Sequence, residues 1–192
     1  MRPTRMEALR FLKGPSVKAV LAVIDVQNGA LSPSVEDLPA RIADYVQSWR
    51  KAGGDVAFFR FVNHAGSPSE RFLEHSGMHL APEIDLCPEV LPLARNAFDK
   101  CRYTALCPKF LKELDAHKWE TIALCGLETM GSIHKTAMDI FDIGKRPYVI
   151  GDLCGCRDGA AAHEYALQTL RGLIGEDQVG PAEEALLLLS SP

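Results

Sequence analysis

The sequence predicts an α/β chain: a three-layer α/β/α sandwich around a central, mainly parallel sheet. Three observations carry that expectation. Short apolar, β-branched runs such as "VKAVLAVID" (17–25) lack polar alternation, as strands covered on both faces do. Between the runs lie segments with apolar residues at helical spacing. The two kinds alternate through one continuous unit with no internal repeat, linker or low-complexity stretch. That order is the one a parallel sheet with crossover helices requires.

The elements follow in order. The first strand, 17–25, ends in a single acid, Asp25. Residues 35–54 carry a helical pattern that closes on Gly53-Gly54, a C-terminal signal. "DVAFFRFV" (55–62) is the second strand, and the polar, proline-bearing stretch 63–92 reads as a loop with one helical turn. "ARNAFDK" (94–100) is the third strand and ends at Lys100; "CPKFLKELDAHK" (107–118) is a helix. "WETIALCG" (119–126) is the fourth strand, and a helix is expected from Ser132 to the stop at Gly144. "RPYVIGD" (146–152) is the fifth strand, 159–175 a helix and "DQVG" (177–180) a last short strand. The expected organisation is one domain over 1–192, with an N-terminal extension (1–16) and a C-terminal tail (181–192). The extension reads as a short amphipathic helix, since Arg10 and Lys13 interrupt any signal-type apolar core. The four leucines of the tail are expected to pack on the domain or on a second subunit.

Composition narrows the partners. Apolar residues make up 47% and charged residues 24%, the balance of an ordinary globular protein. The net charge of −4 argues against nucleic acid or an anionic membrane as a partner. No apolar run is long enough to span a bilayer. The six cysteines are not spaced as a disulfide framework and contain no CxxC. They read as reduced thiols of a cytoplasmic protein, most of them small apolar core residues.

In open parallel sheets, ligands sit beyond the C-terminal strand ends. Those ends present Asp25, Lys100, the "GLETMGS" turn leading to Ser132, and Asp152. Each alone has a plain structural reading: a cap, a solvated charge, a first-turn hydroxyl. Together they place an acid, a cation and a hydroxyl at one helix N-terminus. A carboxylate can move protons, an ammonium can stabilise a developing anion, and N–H groups at a helix start can hold an oxyanion.

Four stretches in register carry a family resemblance: "AVIDVQN" (22–28), "KCRYTAL" (100–106), "GLETMGSIHKTAMDIFDIG" (126–144) and "VIGDLCGCRDGAAAHEYAL" (149–167). Over roughly residues 17–180 the chain resembles the isochorismatase-like hydrolase superfamily, the cysteine hydrolases. The resemblance implies a triad of Asp, Lys and Cys, mapping to Asp25, Lys100 and position 132, where this chain carries Ser132. Gly126, Thr129, Ile133, Thr136, Ala137 and Asp139 fit the surrounding pattern. It further implies a cis bond before Glu128 and an oxyanion site at the N–H groups of Gly131 and Ser132. A homo-oligomer and a small-molecule substrate are also expected from it.

The serine changes the chemistry. A thiol beside a cation becomes a thiolate, whereas a hydroxyl needs a general base at the moment of attack. Asp25 is the candidate base. In the family's true isochorismatases, which lack the cysteine, the Asp protonates a vinyl ether instead; Asp25 and Lys100 suffice for that. No cofactor is expected. The Asp-x-His through which the family's nicotinamidases bind metal is absent from "FVNHAG" (61–66), so no metal is expected, and His64, His75 and His79 read as loop residues. Two readings follow: a hydrolase of a small amide or ether, or a catalytically inactive member serving as a binding or assembly module.

Overall fold

The computed structural model describes residues 18–189. The amphipathic helix expected near the N-terminus lies outside them. Six strands form one sheet: β1 (Ala19–Ile24), β2 (Asp55–Phe61), β3 (Ala97–Lys100), β4 (Thr121–Gly126), β5 (Arg146–Cys154) and β6 (Val179–Gly180). Their order is β3-β2-β1-β4-β5-β6, and every pairing between them is parallel. The order reverses between β1 and β4, where crossovers leave to opposite sides and open a crevice.

The six helices of the described residues are α1 (Leu38–Lys51), α2 (Pro68–Leu73), α3 (Pro108–His117), α4 (His134–Asp142), α5 (Ala160–Ile174) and α6 (Ala182–Leu186). β1 explains the layering. All six of its residues are buried, and alternate ones join different cores. Leu21 and Val23 pack with Ile42, Val46 and Trp49 of α1 and with Ala185 of α6. Val20, Ala22 and Ile24 pack with Phe110 of α3, Ile140 of α4 and Leu170 of α5. The result is the expected three-layer sandwich, with apolar strands because neither sheet face meets water.

Four local expectations change. The stretch 63–92 holds α2 and a 3-10 turn at Leu91–Leu93, and Gln27 bridges it antiparallel at Leu86. The third strand is shorter than expected, because Ala94 closes that 3-10 turn. The helical segment after β4 begins at Thr129, not Ser132, as a π turn spanning Thr129–Ile133 with Glu128 at its N-cap position. β5 runs on to Cys154, so Asp152 is an exposed strand residue. Its carboxylate accepts the Ala182 N–H at 2.8 Å and ties down the tail. Leu186, Leu188 and Leu189 of that tail pack on the domain's own core.

Candidate active site

Two strand ends and one turn build the site. β1 stops at Ile24, and Asp25 takes a left-handed backbone (φ 53°) that carries its side chain into the crevice. Asx residues tolerate that conformation better than most. Lys100 closes β3, two strands away, and Ser132 lies in the π turn after β4. All three are buried.

They converge on one oxygen. Lys100 Nζ donates to Asp25 Oδ2 at 2.7 Å, and the Ser132 hydroxyl donates to the same Oδ2 at 2.7 Å. Lys100 Nζ also donates to Ser132 Oγ at 3.1 Å and to the Arg102 carbonyl at 3.0 Å, which uses all three ammonium protons. The ammonium stands 5.5 Å from the centre of the Phe61 ring. Burial pushes the Asp25 carboxyl above its ordinary value, while Lys100 and its hydrogen bonds pull the other way. Desolvation is the larger effect, so Asp25 holds a proton more readily than a surface aspartate.

The turn is locked from beneath. The Leu127–Glu128 bond is cis. Thr129 gives both its N–H and its hydroxyl to Gly155 O, each at 2.8 Å. The Thr129 hydroxyl also shares a hydrogen bond with His163 Nδ1 at 2.8 Å. Gly126, at φ 116°, is forced: a Cβ there would sit 2.0 Å from Ile24 O. The loop after β3 is pinned in turn, because Ala105 N donates to Thr136 Oγ1 of α4 at 3.0 Å.

The other expected site residues take different places. Gly131 N donates to Glu128 O at 3.0 Å, so this N–H already has an acceptor. The Glu128 side chain turns toward Arg157: Oε2 accepts its N–H at 2.8 Å, and Oε1 lies 2.9 Å from Nε in an ion pair without hydrogen-bond alignment. Glu128 therefore ties the turn to the loop after β5. Burial pushes the thiols of Cys125, Cys154 and Cys156 up, which makes each a poor thiolate source. Among the described residues no group of three or more His, Cys, Asp or Glu is arranged to hold a metal ion. His64 Nδ1 contacts Ala65 O, and His79 pairs with Glu70 at 3.4 Å.

The isochorismatase domain profile matches residues 19–179. The chain belongs to the isochorismatase family. Solved structures of similar fold include an isochorismatase-like hydrolase from Alkaliphilus metalliredigens (TM-score 0.79, 17% identity, 90% of this chain and 100% of that one). A nicotinamidase from Bacillus subtilis is similar over 85% of this chain and 99% of its own (TM-score 0.75, 21% identity). An N-carbamoylsarcosine amidase from Thermoplasma acidophilum is similar over 86% and 97% (TM-score 0.73, 19% identity). No curated protein sequence matches the chain significantly. Among the described residues of this isochorismatase-family chain, no helix is long and apolar enough to cross a membrane.

Two contributors carry no chemical signal of their own in the sequence: Thr129 is a match to the family pattern, and Gln27 sits within "AVIDVQN". Gln27 is fully buried and holds three backbone groups: its Nε2 donates to Phe61 O (3.0 Å) and Ile84 O (2.9 Å), and its Oε1 accepts the Phe61 N–H (2.7 Å). A glutamine one pleat after a strand-end acid was the available signal.

Proposed function

We propose that this chain is a hydrolase of a small amide or ether, in which Asp25 moves protons, Lys100 holds charge and Ser132 occupies the nucleophile's position. One observation carries the reading: Ser132 Oγ lies within hydrogen-bond reach of both Asp25 Oδ2 and Lys100 Nζ. A hydroxyl whose proton points at a base, and whose oxygen accepts from a cation, is arranged for activation. On an amide the steps balance. Ser132 Oγ bonds to the carbonyl carbon as its proton passes to Asp25 Oδ2. Asp25 returns that proton to the leaving nitrogen as the C–N bond breaks, and water then cleaves the acyl ester by the same route. On a vinyl ether, Asp25 protonates the substrate and water completes the cleavage. The names of two structural neighbours, a nicotinamidase and an N-carbamoylsarcosine amidase, favour the amide.

A raised carboxyl pKa serves both directions of proton transfer, since it brings Asp25 closer to a hydroxyl as base and to neutral pH as acid. The second reading, a binding module that retains the fold, is favoured by the Gly131 N–H being spent on Glu128 O. A panel of small amides and vinyl ethers separates the two. Turnover is expected, lowered about 10²–10⁴-fold in Asp25→Asn and raised in Ser132→Cys. Turnover that survives Asp25→Asn overturns the mechanism. A panel on which both wild type and Ser132→Cys are inert favours the binding module.

A further inference from the structure

We infer that Gln27 is a positioning residue for Asp25: by accepting the Phe61 N–H through Oε1, it withholds that donor from Asp25 Oδ1 and leaves the carboxyl group one hydrogen bond short. The inference rests on the reading of Asp25 as the group that moves protons.

The geometry begins with the glutamine amide. Its orientation is decided by its partners, because Phe61 O and Ile84 O can only accept and Phe61 N can only donate. Nε2 therefore faces the two carbonyls and Oε1 faces the N–H. At the end of β2, where the ladder runs out, this side chain satisfies both backbone groups of Phe61.

Asp25 bears the consequence. Its Oδ2 takes two donors, Lys100 and Ser132. Its Oδ1 is buried and makes no hydrogen bond within bonding geometry among the described residues. The Phe61 N–H is near enough to act weakly on the carboxylate, but at 2.7 Å it is committed to Gln27. A buried carboxylate oxygen with no donor disfavours the charged form, since backbone N–H bonds are what hold such groups ionised. Removing the Oε1 acceptor frees the N–H to turn fully to the carboxylate on which it already acts weakly. Among the described residues, the charged group facing Asp25 is Lys100 from β3, and the hydroxyl facing it is Ser132 from the π turn. Gln27 makes no hydrogen bond to either.

The test is a titration that needs no substrate. The Asp25 carboxyl carbon of ¹³C-labelled protein is followed by NMR against pH in wild type, Gln27→Met and Gln27→Glu. Gln27→Met is near-isosteric and lacks the acceptor, so its Asp25 midpoint is expected at lower pH than wild type. Gln27→Glu keeps an acceptor for the Phe61 N–H and adds a negative charge, so its midpoint is expected at or above wild type. A midpoint that is unchanged or higher in folded Gln27→Met, or lower in Gln27→Glu, overturns the inference. In wild type alone, a scalar coupling across the hydrogen bond is expected from the Phe61 amide nitrogen to the Gln27 side-chain carbonyl carbon. A coupling to the Asp25 carboxyl carbon instead overturns the inference even if no variant folds. Failure of the catalytic reading shows up separately, as turnover retained in Asp25→Asn.

Discussion

Lys100 and Asp25 form a buried pair whose members hold each other in place, with the lysine side chain 1% and the aspartate side chain 9% exposed. Breaking such a pair leaves an uncompensated group in low dielectric, whereas removing both members is often nearly neutral. Lys100→Met is therefore expected to lose about 3–5 kcal/mol in urea denaturation, and Asp25→Asn/Lys100→Met to recover most of it. A double variant as unstable as Lys100→Met contradicts the pairing. The raised pKa of Asp25 gives a second expectation. Because burial raises its pKa, the native state binds the proton more tightly than the unfolded chain does. Its contribution to stability is thus complete below about pH 4, the unfolded value, and is lost as pH rises through the higher native one. Stability of wild type relative to Asp25→Asn is expected to fall as pH climbs from about 4 toward neutrality. Denaturation at a series of pH values measures it, and a difference that grows with pH reverses the assigned direction.

At the scale of elements, the turn between β4 and α4 aims Ser132. Its entry point is Gly126, which pairs with Ile24 of β1 and adopts a backbone that L-residues avoid. Gly126→Ala is expected to destabilise by about 2 kcal/mol or more, since a methyl at 2.0 Å from Ile24 O must push two central strands apart. Thermal melting checks this, and a variant within error of wild type refutes the packing argument. The same turn shows how far pattern reading reaches. Apolar periodicity over 132–144 announced the helix, but its start at Thr129 depends on Gly155 O, which belongs to the loop after β5. A helix boundary set by a partner 26 residues away has no local signature. The shape of residues 63–92 was hidden for the same reason: their straps run to Gln27, Asn28 and Gly29.

At the scale of the molecule, the C-terminal segment completes one face of the sandwich. Tyr45 donates to Ala182 O at 3.0 Å, Asp152 accepts the Ala182 N–H, and three leucines cover the core behind them. Deleting residues 182–192 is expected to lower the melting temperature by about 10 °C or more, because several apolar side chains leave the core. An unchanged melting point sinks the claim that the tail belongs to this core. The sequence by itself determined the layered α/β/α class, the order of strands and helices along the chain and the candidacy of Asp25, Lys100 and Ser132. Those features depend on local periodicity and on which residue closes each strand. Only the tertiary structure decided that all three side chains meet at Asp25 Oδ2, that the Gly131 N–H is already bound, and that Gln27 and Thr129 hold the site from below. The Gly131 contact is local but follows from the shape of the turn, and the others join residues tens of positions apart, so their geometry exists only once the strands are in register.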